Sequence, residues 1–355
     1  MNNISKIQAK LKEKKLDALL ITDEKNQRYA AGFPFTDGVV LVAQKKAWLI
    51  TDSRYIEAAE TQAEGVTVQL YDAAHPLTER IKDAIREAHI FTLAAEDTKL
   101  SHAEFISYER ELGLELHPAG TMLAELRASK SEEELAFMRA AQRISEGALD
   151  AVLHIIRPGM TEREVAAELV YHMLRGGSEG NSFDPIVVTG AKTSMPHGVP
   201  GDKIIQPGDF VTMDFGCIKG GYCSDMTRTV AVGSATEEMR NVYDIVLRAQ
   251  LAGIKTAKAG IPGREIDAAA RKVISDAGYG EYFGHGFGHS LGLDIHEAPN
   301  ANPRGAVPMP AGAVCSAEPG IYLPGRFGVR IEDVMIIREG GCEIITKAPK
   351  ELIIL

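Results

Sequence analysis

The sequence predicts an α/β domain over residues 1–125 and a larger α+β domain over 126–355. Three observations carry that prediction. From residue 4 to 113, short apolar runs alternate with amphipathic segments, the rhythm of helices packed on a mixed sheet. Between 122 and 130 the rhythm gives way to a long amphipathic stretch. Beyond residue 185 strand signals dominate, broken by one further pair of helices. A length of 355 residues also exceeds one ordinary domain and suffices to bury a core without disulfides.

Taken in order, residues 4–15 have helical spacing, and LDALLI (16–21) is a compact apolar strand. GVVLVA (38–43) and AWLI (47–50) form a hairpin around Gln44-Lys45-Lys46. RYIEAAETQA (54–63) is helical and VTVQLY (66–71) extended. The same order returns in LTERIKDAIREA (77–88), IFTLAA (90–95) and HAEFISYERELG (102–113). The long helix of 131–156 opens on Ser131 with Glu134 three residues on, a capping box, and stops at Pro158-Gly159. TERE (161–164) starts the next helix, which runs to about Arg175. Strands follow in PIVVTG (185–190), DFVTMDFGCI (209–218) and YCSDMTRTVAVG (222–233), then helices near 236–257 and 263–277. This order hints at a duplicated half.

Composition narrows the function. Lys and Arg number 39 against 49 Asp and Glu, a formal charge of −10, so the chain repels phosphate backbones and nucleic acid is not an expected partner. Cys217, Cys223, Cys315 and Cys342 have no CxxC spacing, which excludes a zinc ribbon or thioredoxin-type site. They are expected to be reduced and buried. The opening MNNISKIQAKLKEKKLDALL lacks a signal-peptide core, and no apolar run approaches the ~20 residues of a membrane helix. A soluble cytoplasmic protein, with no membrane partner, is the expectation.

The informative residues are polar ones inside apolar patterns. Asp214 in VTMDFG and Asp225 in YCSDMTRTV flank Lys219-Gly220-Gly221. A two-residue turn, centred on Lys219-Gly220 or on Gly220-Gly221, sends both carboxylates to one sheet face. Two such carboxylates repel unless a metal or proton lies between them; two unrelated surface aspartates are an equal alternative. GHGFGHSLGLDIHE (284–297) holds three of the ten histidines, His285, His289 and His296. Its glycines disfavour a helical zinc pair and let backbone approach a ligand. Glu318 in AEPGIY and Glu332 in GVRIEDVMII sit beside apolar strand residues, and a buried glutamate there wants a metal or an arginine. Arg330, two residues from Glu332, is the structural competitor.

Two aspartates, one histidine and two glutamates suit a divalent pair such as Mn, Co or Zn. With DFG, SDMTRT, HGFGHSLGLDIHE, EPGIY and VRIED in order, residues 130–355 resemble the pita-bread metallopeptidases: methionine aminopeptidase, aminopeptidase P and prolidase. The resemblance implies a creatinase-like N-terminal α/β domain and an α+β pita-bread catalytic domain. It implies Asp214, Asp225, His289, Glu318 and Glu332 as ligands of two divalent metals, manganese foremost, with Asp225 and Glu332 bridging. His296 matches the family's second catalytic histidine, and His197 in SMPHGVP resembles a substrate-binding residue that also serves catalysis.

NQRYAAGF (26–33), ITDSRY (50–55) and LRASKSEEE (126–134) resemble the N-terminal domain and junction of prolidase and aminopeptidase P, which bacterial methionine aminopeptidases lack. The implied substrates are short peptides with proline second, and a homodimer is implied as the assembly. The implied chemistry is hydrolysis of the Xaa-Pro bond by a hydroxide shared between the metals, with Glu318 shuttling the proton. Phe183, His285 and Arg330 are further candidates for binding substrate, Arg330 also for orienting Glu332, whereas Tyr222 reads as a plain strand residue. Prolidases commonly carry arginine within HExPR; here HEAPNANPR has Asn300 at that place and Arg304 four residues on. Dipeptidase and aminopeptidase readings both stay open. A methionine-aminopeptidase-like peptidase, a non-catalytic binding module and a creatinase-like amide hydrolase are the alternatives.

Overall fold

Residues 2–355 are described in a computed structural model. The chain divides into two units, one ending at Arg127 and the other beginning at Ala128.

In the first unit, helices α1 (Ile4–Lys14), α2 (Glu24–Ala31), α3 (Ile56–Gln62), α4 (Leu77–Ala88), α5 (His102–Leu112) and α6 (Met122–Ala128, crossing the division by one residue) accompany six strands. These are β1 (Ala18–Ile21), β2 (Gly38–Ala43), β3 (Ala47–Thr51), β4 (Thr67–Leu70), β5 (Leu93–Ala95) and β6 (Leu116–Pro118). The sheet order is β4-β3-β2-β1-β5-β6, antiparallel across β3-β2-β1 and parallel elsewhere. Alternate residues such as Leu20, Leu41, Trp48 and Ile50 form one core with Ile81 and Ala84 of α4. Their neighbours Leu19, Ile21, Val40 and Leu49 are buried too, as are Ile7 and Leu11 of α1, so both faces of the sheet are covered.

The second unit contains α7 (Glu132–Leu153) and α8 (Glu162–Arg175), both opened by capping boxes, from Ser131 with Glu134 and from Thr161 with Glu164. Strands β7 (Gly180–Asn181), β8 (Ile186–Thr189), β9 (Phe210–Phe215), β10 (Cys217–Lys219), β11 (Tyr222–Cys223) and β12 (Met226–Ala231) follow. Then come α9 (Glu237–Thr256), α10 (Gly263–Asp276), β13 (Gly288–Ser290), β14 (Glu297–Ala301), β15 (Val314–Ala317), β16 (Gly320–Leu323), β17 (Phe327–Arg330), β18 (Asp333–Arg338) and β19 (Gly341–Ile344). The sheet β12-β9-β8 packs on α7 and α8 through Leu149, Leu169, Val187 and Met213. The sheet β14-β13-β15-β18-β19 packs on α9 and α10 through Val246, Ile266, Cys315 and Met335. Two helix pairs thus back two sheets, and the polar strand residues are left for the space between the sheets.

No helix among the described residues is long and apolar enough to cross a membrane. Cys217, Cys223 and Cys315 are buried, and none of the four cysteines forms a disulfide. Burial pushes the Cys315 thiol up to about 12, so it stays a thiol.

Candidate active site

The hairpin that carries the two aspartates turns at Gly220-Gly221, both with positive φ, and pairs Lys219 with Tyr222. Its register sets Asp214 against Thr227 and Phe215 against Met226. Asp225 therefore comes opposite Gly216, two places along from Asp214 and on the same face. The ladder is interrupted at Ser224-Asp225, which belong to neither β11 nor β12. Gly216 is required there, since a Cβ would lie 2.0 Å from the Ser224 carbonyl oxygen.

The second sheet brings the other side chains. His289 lies in β13, Glu318 between β15 and β16, and Glu332 between β17 and β18. The His289 Nε2 atom is 3.5 Å from Asp225 and 3.3 Å from Glu318. Asp225, His289 and Glu332 each offer an atom within 4.8 Å of the other two. Burial, then the neighbouring carboxylates, pushes Asp225 and Glu332 well above the ordinary carboxylate range. Burial raises Glu318 too, with Asp214 adding to it while His285 and Arg330 oppose. Burial lowers His289 and keeps it neutral. Its Nδ1 faces the Ser290 carbonyl at 3.2 Å, which leaves Nε2 as an open lone pair.

These residues fit a cation. Asp214 Oδ1 and Glu332 Oε1 are buried and accept no hydrogen bond, an expense that a positive ion removes. Four carboxylates and one neutral imidazole are donors for hard to borderline divalent ions. Two other carboxylate oxygens are fixed by protein: Thr227 Oγ1 donates to Glu332 Oε2 at 2.8 Å and Ser316 Oγ to Glu318 Oε1 at 3.1 Å.

Arg330 corrects one expectation. Its guanidinium donates to Asp214 at 2.6 Å, to the Tyr322 hydroxyl at 2.9 Å and to Thr227 Oγ1 at 3.1 Å, not to Glu332. Strand pairing puts Arg330 opposite Gly320, while Glu332 has already left that strand. Burial opposes its charge, but Tyr322, Asp214 and Glu318 outweigh that and hold it protonated. The Tyr322 hydroxyl in turn lies 2.8 Å from His285 Nε2, and His285 Nδ1 faces the Gly286 carbonyl at 2.8 Å. Arg330, Tyr322 and His285 thus form one directed chain of hydrogen bonds that ends in a neutral imidazole. Tyr322, Thr227 and Ser316 were not singled out from sequence. Their partners are distant along the chain, and only the position of Tyr322 in EPGIY offered a signal.

A cavity of about 670 Å³ opens onto this cluster. Phe183, Ile186, His197, Val199, Ile295 and His296 contribute to its wall, with Arg330 the sole arginine or lysine among the described lining residues. The His296 ring stands 4.3 Å from that of His289 between centroids. Burial, then His289, lowers its pKa. His197 is exposed on the loop after β8, and Phe183 is half-buried. Asn300 and Asn302 line the cavity, whereas Arg304 is exposed and outside its wall. Tyr222 is not part of the cavity wall; it stacks on Phe137 and donates a hydrogen bond to Glu134 at 2.7 Å.

Sequence comparison matches residues 136–339 to metallopeptidase family M24 and residues 3–129 to the creatinase/prolidase N-terminal domain. A protein described as Xaa-Pro dipeptidase from Bacillus anthracis superposes with a TM-score of 0.95 at 42% identity, covering 99% of each chain. The X-Pro aminopeptidase from Thermotoga maritima gives 0.93 at 35% identity, covering 98% of this chain and 100% of that one. The Xaa-Pro dipeptidase of Pyrococcus horikoshii is 34% identical over 99% of this chain and 98% of its own. A carboxylate cluster that needs a cation and a whole-length likeness to metallopeptidases agree: this chain belongs to metallopeptidase family M24, with a creatinase/prolidase N-terminal domain.

Proposed function

We propose that the protein is a metal-dependent Xaa-Pro peptidase, which hydrolyses the bond between the first residue of a short peptide and a proline at the second. The buried cluster around the cavity, with two carboxylate oxygens left without partners, is the observation that carries the reading. The names of the relatives support proline as the second residue. Asp214, Asp225, His289, Glu318 and Glu332 would hold two divalent ions, of which manganese is our choice. When bound, such ions supply Lewis acidity and a readily deprotonated water.

The protein's own residues do the rest. Glu318, with Oε1 engaged by Ser316, has Oε2 to carry a proton from water to the departing proline nitrogen. His296 donates toward the carbonyl oxygen as the tetrahedral centre forms. His197 holds the peptide near its proline, and Phe183 gives the ring an apolar wall. Arg330 fixes Asp214 and holds the Tyr322 hydroxyl against His285, which burial keeps neutral, so these three act on the site's geometry rather than on the peptide. With Arg330 already engaged and Asn300 in the wall, no lysine or uncommitted arginine among the described lining residues meets a dipeptide carboxylate. That supports peptides that continue beyond proline. By resemblance we also assign a homodimer, a cytoplasmic location and a functional division into 1–125 and 126–355.

The test is hydrolysis of a Xaa-Pro dipeptide and a Xaa-Pro-Xaa tripeptide by manganese-loaded protein, with and without chelator. Cleavage of the tripeptide, abolished by chelator, is expected. Indifference to chelator, or cleavage of neither peptide, overturns the reading.

A further inference from the structure

Lys130 stands where a lysine is costly. Its side chain is 1% exposed, and its ammonium lies 2.9 Å from Oε2 of Glu297, itself 7% exposed. Such a pair gains little stability over well-packed apolar residues, because desolvating both charges offsets their attraction. What the pair holds in place is therefore the question.

Glu297 directly follows His296 and begins β14. Its Oε1 accepts the backbone N–H of Asp294 at 3.1 Å. Asp294 in turn offers its carbonyl to the N–H of Gly292 at 2.9 Å, and the Gly292 carbonyl accepts from Cys223 N–H at 2.7 Å. The loop is folded tightly on this carboxylate, since a Cβ on Gly292 would lie 2.7 Å from Oε1. The lysine end is anchored as well. Lys130 N–H donates to the Gly312 carbonyl at 3.0 Å, and Ser129 Oγ to the Ala311 carbonyl at 2.7 Å. One ion pair thereby ties together the entry to α7, the loop of 291–297 and the strand that leads into Asp225. His296 rides on that loop. Neither Lys130 nor Glu297 lines the cavity, so neither is placed to touch a peptide.

We infer that Lys130 and Glu297 are positioning residues, a buried ion pair that sets the His296 imidazole beside His289 before any peptide arrives. The inference rests on the role of His296 in the function proposed above. A donor aimed in advance stabilises developing charge without reorganising, and misplacement by about 1 Å costs roughly a hundredfold in rate.

The test compares wild type with K130M, E297Q and the double variant K130M/E297M, all loaded with manganese. The measurements are melting temperature, kcat and KM on a Xaa-Pro-Xaa peptide, and amide exchange over 291–297. Packing two apolar side chains against each other should leave the double variant within about 5 °C of the wild-type Tm. Its kcat should fall about ten- to a hundredfold, with KM held within about twofold. Exchange over 291–297 should speed up by about tenfold or more. E297Q keeps the shape and one of the two acceptor oxygens, so it should retain more kcat than K130M. A double variant with wild-type kcat overturns the inference. So does a kcat loss matched by a large fall in Tm while E297Q behaves as wild type, which is the signature of a purely structural pair. A wild type that cleaves no Xaa-Pro peptide sinks the proposed function instead; amide exchange then decides this inference alone, and unchanged exchange in the double variant overturns it.

Discussion

Glu332 is 1% exposed, with one oxygen on Thr227 and the other on nothing. Burial and the nearby Asp225 hold its carboxyl far above the ordinary range, so in the metal-free protein its charge opposes folding. Glu332→Gln should therefore raise the stability of metal-free protein by on the order of 1 kcal/mol. The same change should lower metal-dependent activity by at least about a hundredfold. Calorimetry of metal-free protein checks the first half, and a variant that melts below wild type contradicts it. Glu96 offers a cleaner titration in the first unit. Burial raises its pKa above the usual 4.5, despite hydrogen bonds from Thr22 and Asp23. A carboxyl that holds its proton more tightly folded than unfolded loses stability as pH rises through that window. Wild type should accordingly lose ground to Glu96→Gln between about pH 4.5 and neutrality. Paired denaturant titrations would reveal it, and a gap independent of pH would contradict the assignment.

Elements whose cause is local were open to reading in the chain. Ser131 and Glu134 announce α7 because both partners of the capping box lie within one turn. Ser131→Ala should cost about 1 kcal/mol, measurable as a lower urea midpoint. The β10–β11 turn was readable down to two possible registers, and Gly220-Gly221 is the one adopted. At Gly220, φ is +59° and a Cβ would lie 2.2 Å from the Phe137 ring. Gly220→Ala should thus destabilise by more than about 1 kcal/mol, and wild-type stability would show that the helix yields. Helix α2 escaped notice because it buries Asn26 and Gln27 and presents no apolar stripe. The strand break at Ser224-Asp225 escaped too, since YCSDMTRTV reads as one extended run. The destination of Arg330 was not legible either: its carboxylate partner, Asp214, lies 116 residues away, and only the tertiary fold selects it over Glu332.

Across the whole molecule, the one candidate metal cluster found among the described residues belongs to the second unit. Ligand linkage then predicts an uneven response to chelation. At a free metal concentration 100 times the dissociation constant, binding adds about 2.7 kcal/mol. Chelator should lower the melting temperature by several degrees and accelerate amide exchange around β9, β13 and β18, leaving residues 2–127 unchanged. Equal acceleration in both units would refute this. The site also straddles two sheets. Asp214 and Asp225 come from the hairpin on the first helix pair, His289 from the sheet on the second, and Glu318 and Glu332 from the junctions that flank its strands β15 and β18. For recombination this is decisive. A crossover between Asp225 and Glu318 takes two or three of the five side chains from each parent, and their register must agree across a seam that neither parent selected. Exchange between relatives is therefore expected to yield working hybrids at the boundary between Arg127 and Ala128, and to fail between Asp214 and Glu332.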